Sequence, residues 1–128
     1  MIDWAAFAHA RAQLGADLVR IVGYFREDGE KSVGAIEEAI RAKSAVALVI
    51  PAHTLKGEAR QFGATPLSEL AELIEMTARR CIESHDAPDE LIGEVVKLRP
   101  LFRRTLEVFD RELAPIRTRV VGFGRKTA

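Results

Sequence analysis

The sequence predicts an all-α protein, an antiparallel four-helix bundle with a short extra helix at its amino terminus. Three observations carry that expectation. Strand signals, alternating β-branched runs joined by Asn-Gly turns, are absent. Four substantial stretches repeat their apolar residues at the helical period of about 3.6. The segments between them are short, which makes successive helices antiparallel neighbours. With no internal repeat, low-complexity segment or second domain, residues 1–114 are expected to form one domain and 115–128 a partly disordered tail.

Each element has its own justification. Asp3 is placed to cap a short first helix that ends near Leu14-Gly15. Leu18, Ile21, Val22, Phe25, Val33, Ile36 and Ile40 then share about 100–120° of arc, the apolar face of one long helix over roughly 16–42. Gly29 and the polar stretch "REDGEKS" interrupt that helix, but the stripe keeps its phase across them. Ser44 caps a third helix, with Leu48, Ala52, Leu55, Ala59 and Phe62 in a narrow stripe and Gly63 as its stop. Thr65-Pro66 reads as an N-cap followed by proline at the first helical position. The fourth helix carries Leu67, Leu70, Ala71, Ile74, Ala78 and Cys81 on one face, and "SHDAPDE" is a turn. The last helix, expected over 89–113, aligns Leu91, Val95, Leu98, Phe102, Leu106, Phe109 and Leu113, with Pro100 set to kink or divide it.

Composition narrows the function. At 128 residues the chain is long enough to bury a core without disulfides or metals. Lys plus Arg and Asp plus Glu each number 19, and that balance argues against nucleic acid as a partner. One cysteine, Cys81, excludes an internal disulfide, and the scattered His9, His53 and His85 show no metal-ligand spacing, so no metal is expected. The first fifteen residues lack the basic and continuous apolar regions of a signal peptide. The longest apolar run, Ala45 to Ala52, falls far short of the ~20 residues that span a bilayer. A soluble, cytoplasmic protein with no membrane insertion is expected.

The stretch "AHTLKGEARQFG", Ala52 to Gly63, stands apart. With His53 at 0° on the helical wheel, the core stripe of the third helix lies at roughly 180–260°. His53 therefore faces solvent, with Lys56, Gly57 and Arg60 clustered around it at i+3, i+4 and i+7. Glycine inside a helix costs about 0.5–1 kcal/mol against alanine, so ordinary stability would not choose Gly57. Without a Cβ it leaves the imidazole open to a bulky group or a partner backbone. Imidazole is ordinarily largely neutral at pH 7, and one ring nitrogen is then a nucleophile. A nucleophile, nearby cations and open access suit phosphoryl transfer, where catalysis is mainly positioning and charge stabilisation. Taken alone, the same residues also describe a solvated helix face or a glycine at a helix contact.

"AHTLKGEARQFGATPLSELAELIE", Ala52 to Glu75, resembles the signature of histidine-containing phosphotransfer (HPt) domains. Those domains carry H-x-L-K-G, a glycine six residues on, a leucine four later, and a closing acidic or amide residue. Here these are His53, Leu55, Lys56, Gly57, Gly63, Leu67 and Glu75, within about a fifth of the chain. The layout of the helices fits the family across nearly the whole length, so 1–114 is expected as a single HPt-like domain. The resemblance implies that His53 is the phosphoacceptor at Nε2 and that Lys56 neutralises the phosphoryl group. It also implies that Gly57 clears space and that Glu75 orients His53 through Nδ1. Arg60 and Gln61 are further expected contacts to phosphate or partner. The chain departs from many members in carrying Glu58 and Arg60 after the glycine, and Pro51 should bend the helix two residues before the acceptor.

Other residues have plainer readings. His9 and His85 read as surface residues, Cys81 as core packing, and Trp4 and Phe7 as core packing or amino-terminal anchoring rather than a docking surface. Arg117, Arg119, Arg125 and Lys126 in the tail read as solvated charge.

Three functions follow from the resemblance, all within two-component, bacterial-type signalling. The first is a phosphorelay carrier, in which His53 passes a phosphoryl group between aspartates of response-regulator receiver domains. The second is a module that docks receivers or a kinase without turnover; the His-Lys-Gly triplet argues against it. The third is a detached phosphoacceptor domain of a chemotaxis-type histidine kinase. In each the partners are receiver domains and a (hybrid) histidine kinase, and the protein is expected as a monomer. It would be a phosphohistidine carrier rather than a self-contained kinase. No nucleotide-binding glycine loop is present, so no cofactor is expected on this chain, and Mg2+ belongs to the receiver.

Overall fold

A computed structural model describes the backbone of residues 2–126 and the side chains of residues 2–114. Five α-helices follow in order: α1 Trp4–Leu14, α2 Leu18–Arg41, α3 Ala45–Gln61, α4 Thr65–Ser84 and α5 Ile92–Lys126. Short 3-10 turns, Gly15–Asp17 and Asp89–Leu91, lead into α2 and α5, so those helices start two or three residues later than expected. No strand occurs among the described residues, and no described helix is long and apolar enough to cross a membrane.

The four long helices form a ring in which α2 packs on α3 and α5, and α4 on α3 and α5, with α1 against α2 and α3. The core stripes all turn inward. Leu18, Val22, Val33, Ile36, Leu48, Leu55, Leu67, Ile74, Leu98 and Phe102 have essentially no exposure, and each such side chain contributes about 1.5–3 kcal/mol on burial. At the centre Phe25, Phe62, Phe102 and Phe109 touch ring to ring at 5.6–6.1 Å. Phe7 of α1 stacks on Phe109 at 5.3 Å, so α1 is anchored in the core, while Trp4 leans on Phe7 and stays half exposed.

Ends and crossings have local causes. The Asp3 carboxylate accepts from the Ala6 amide, and the Ser44 hydroxyl from the Ala47 amide, capping α1 and α3. Gly63 closes α3 with φ +73°, and an added Cβ would collide with the Asp3 carbonyl oxygen. The Asp3 amide donates to the Gly63 carbonyl at 2.6 Å, tying the amino terminus to the α3–α4 turn. Thr65 is the first residue of α4 rather than its N-cap. Ala64 takes the cap position because it is buried in the turn, and the Thr65 hydroxyl bonds back to the Gly63 carbonyl. Between α2 and α5, Arg99 grips Glu37 through two hydrogen bonds, 3.0 and 2.7 Å, and also pairs with Glu30.

Neither internal proline ends its helix. α3 runs unbroken through Pro51 and α5 through Pro100. The carbonyls that lose their donors belong to Ala47 and Val96, both exposed residues, so the loss falls on the solvent side of each helix. Division of the last helix at Pro100 therefore does not occur. α5 runs to Lys126, past the expected end at 113, while the side chains of 115–128, where the tail's basic residues and its expected disorder fall, lie outside the described residues.

Candidate functional site

α3 and α4 pack side by side and bring His53, Lys56 and Arg79 onto the Glu75 carboxylate. Glu75 sits on the α3-facing flank of α4, 2% exposed, a charged side chain almost out of water. Such a carboxylate is tolerated only when paired. Its Oε2 lies 3.0 Å from His53 Nδ1 and accepts two hydrogen bonds from Arg79, from Nε at 3.1 Å and Nη2 at 2.9 Å. Its Oε1 lies 2.8 Å from Lys56 Nζ. Burial alone would push the Glu75 carboxyl up, but the ion pair with Lys56 and the hydrogen bonds with Arg79 and His53 outweigh it and bring it down to about 2.

That ionised carboxylate decides the imidazole's tautomer. A carboxylate can only accept, so the proton in the His53–Glu75 bond belongs to Nδ1. The lone pair of the neutral ring then resides on Nε2, in a side chain that is 62% exposed. Lys56 and Arg79 bring two positive charges to the one negative charge of Glu75, leaving a surplus of one beside the ring.

The other sequence-singled residues fall into place around this cluster. Gly57 is exposed, and a Cβ added there would meet nothing within 4 Å. Helix packing therefore does not require this glycine, and the open space lies outside the protein. Lys56 is not on the solvent side as expected. Only 13% of its side chain is exposed, because its wheel position borders the core stripe and α4 covers it. Arg60 is exposed and reaches toward Glu72, 3.9 Å away, one helical stretch from the cluster; Gln61 is exposed. Glu58 turns to the opposite flank of α3, where burial and then Asp28 of α2 push its carboxyl up. It does not crowd His53. Pro51 is half-buried two residues before His53.

Two features escaped the sequence reading. Arg79 is one helical turn after Glu75, and the i, i+4 Glu–Arg spacing was the signal that could have found it. Val46 and Ile50 share the outer row of α3 with His53 and Gly57, and both are strongly exposed apolar side chains. His9 and His85 are exposed and Cys81 is buried. Among the described residues no group of three or more His, Cys, Asp or Glu side chains is arranged to hold a metal ion.

A family model described as the Hpt domain matches residues 20–112, from the start of α2 into α5, and so includes the whole cluster. No curated protein and no solved structure matches the chain.

Proposed function

The chain belongs to the Hpt domain family, and on that premise we propose that it relays a phosphoryl group between receiver-domain aspartates through phospho-His53. The family itself places the chain in phosphotransfer-related two-component signalling, and Hpt domains interact with response regulators and kinases. The observation that carries the finer reading is the His53 Nδ1–Glu75 Oε2 contact, which leaves Nε2 as the nucleophile on an exposed helix face.

The step balances without a proton transfer. The Nε2 lone pair attacks phosphorus of an aspartyl phosphate, the P–O bond to the aspartate breaks, and its electron pair leaves as carboxylate. The ring, now bonded to phosphorus, keeps its Nδ1 proton against Glu75, which stabilises the positive charge the ring acquires. Attack by a second receiver's aspartate on the phosphohistidine reverses these events. Gly57 leaves room for the phosphoryl group and the approaching receiver, and Lys56 with Arg79 supplies the cationic surplus that a dianion needs. Arg60 and Gln61 lie further along the same helix, where they contact the partner. Exposed Val46 and Ile50 offer that partner an apolar footing beside the acceptor.

In this reading the protein works in the cytoplasm as a monomer, with receiver domains and a hybrid histidine kinase as partners and no nucleic acid. It holds no cofactor of its own, and Mg2+ is bound by the receiver. Incubation with a 32P-labelled phosphoreceiver, and separately with a kinase core and labelled ATP, tests it. Acid-labile, base-stable label from the receiver, lost in His53→Gln, is expected. Label from the kinase core alone would instead make the chain a chemotaxis-type phosphoacceptor. Receiver binding without label would make it a docking module.

A further inference from the structure

A carboxylate in contact with a histidine does two things at once. It orients the ring, and its negative charge favours the imidazolium, which has no lone pair on Nε2. The site needs the first effect and is harmed by the second. Glu75 is almost fully buried 3.0 Å from His53 Nδ1, so in a low-dielectric flank its pull on a ring proton would be strong. The structure answers with two cations on the same carboxylate. Lys56 takes Oε1, and Arg79 places two donors on Oε2, the very oxygen that His53 contacts.

We infer that Arg79 is a positioning residue that neutralises Glu75, so that Glu75 fixes the His53 tautomer without charging the ring. This rests on the reading of His53 as the phosphoacceptor. The surroundings leave the task to few groups. On α3 the charged residues near His53 are Lys56 and Arg60, and Arg60 is directed to Glu72. On α4 they are Glu72, Glu75 and Arg79. From α2, Asp28 acts on Glu58 on the other flank of α3, and Asp3, the cap of α1, lines a groove with Arg60 and Glu72. Lys56 and Arg79, the charged groups that act most on Glu75, come from α3 and α4. Arg79 is half exposed, at 51%, so its influence is partly screened by water and salt. Lys56 shares this task from Oε1, because the carboxylate charge is spread over both oxygens, and Arg79 adds two donors on the oxygen that His53 contacts.

The test is a titration of the His53 ring in full-length protein by 15N-histidine NMR, assigned against His53→Gln. Arg79→Gln should move the His53 midpoint upward by about half a pH unit or more at low salt, and Arg79→Lys should restore most of it. The Nδ1-protonated tautomer should persist in all three, because Glu75 remains. In parallel, the acid limb of the phosphoryl-acceptance rate should move to higher pH in Arg79→Gln, while the rate above pH 8 changes little. An unchanged His53 midpoint in a folded Arg79→Gln protein overturns the inference and leaves Arg79 a structural ion pair. If Arg79→Gln does not fold, Arg79→Met and Arg79→Lys are compared at 20 mM and 500 mM salt, and equal midpoints overturn it as well. The titration needs no phosphodonor, so it fails or succeeds apart from the relay. An unsubstituted protein that accepts no phosphate would overturn the proposed function and leave the titration standing.

Discussion

Lys56 on α3 and Glu75 on α4 form an ion pair, Nζ to Oε1 at 2.8 Å, in which both side chains are largely shielded from solvent. The lysine is thus part of the α3–α4 interface as well as part of the site. Breaking a shielded pair leaves an incompletely compensated charge, and here Arg79 and His53 still serve the other oxygen. Lys56→Gln should therefore lower unfolding stability by about 1–3 kcal/mol in addition to slowing transfer. Urea unfolding monitored by circular dichroism checks this, and an unchanged midpoint would mean that the pair adds nothing to the interface.

Glu75 makes stability depend on acid in a defined direction. Its carboxyl titrates at about 2 in the folded chain against an ordinary 4.5. A depressed value means that the folded protein binds this proton less readily than the unfolded chain, so the contribution is complete above about 4.5 and is lost as pH falls toward 2. The shift corresponds to at most about 3 kcal/mol. Stability measured from pH 6 down to pH 2 should fall more steeply in the unsubstituted protein than in Glu75→Gln, which has no proton to take up in that window. Parallel profiles would show that Glu75 is not held ionised.

Gly57 should separate stability from function. An added Cβ touches nothing, so Gly57→Ala gains the helix preference of alanine, about 0.5–1 kcal/mol. Gly57→Leu should stay folded yet block transfer from a phosphoreceiver, since its side chain fills the space beside His53. Thermal melts and transfer assays on the same samples read both effects. A Gly57→Leu protein that transfers normally would remove the steric role.

Gly29 behaves oppositely although it too lies inside a helix. A Cβ there would stand 2.5 and 2.7 Å from ring carbons of Phe102. Gly29→Ala should cost about 1–3 kcal/mol by overpacking, whereas Gly34→Ala on the same helix meets nothing and should stabilise. Urea midpoints of the two variants should move in opposite directions.

These contrasts show what could be read from the chain and what could not. The inward stripes, the caps at Asp3 and Ser44 and the stop at Gly63 were legible, because each depends on periodicity or on backbone geometry within a few residues. The exposure of His53 was legible for the same reason. The burial of Lys56 was not, since a position at the border of a stripe is covered or bare according to how closely the next helix approaches. Gly29 carried no sign of its partner, because Phe102 arrives from a helix far along the chain. Pro100 allowed a division of the last helix that does not occur, and the residue one turn back, Val96, is exposed. Arg79 lay in plain view as an i, i+4 neighbour of Glu75, but its meaning appears only once Glu75 is seen to be buried against His53.

In the proposed relay Nε2 of His53 carries the phosphoryl group. The direct measurement is 31P and 15N NMR of the 15N-histidine-labelled protein after incubation with a phosphorylated receiver. A single phosphohistidine with phosphorus bonded to Nε2, Nδ1 still protonated, and no signal in His53→Gln is the predicted result. Phosphorus bonded to Nδ1, or a phosphoprotein signal that survives His53→Gln, would contradict the account.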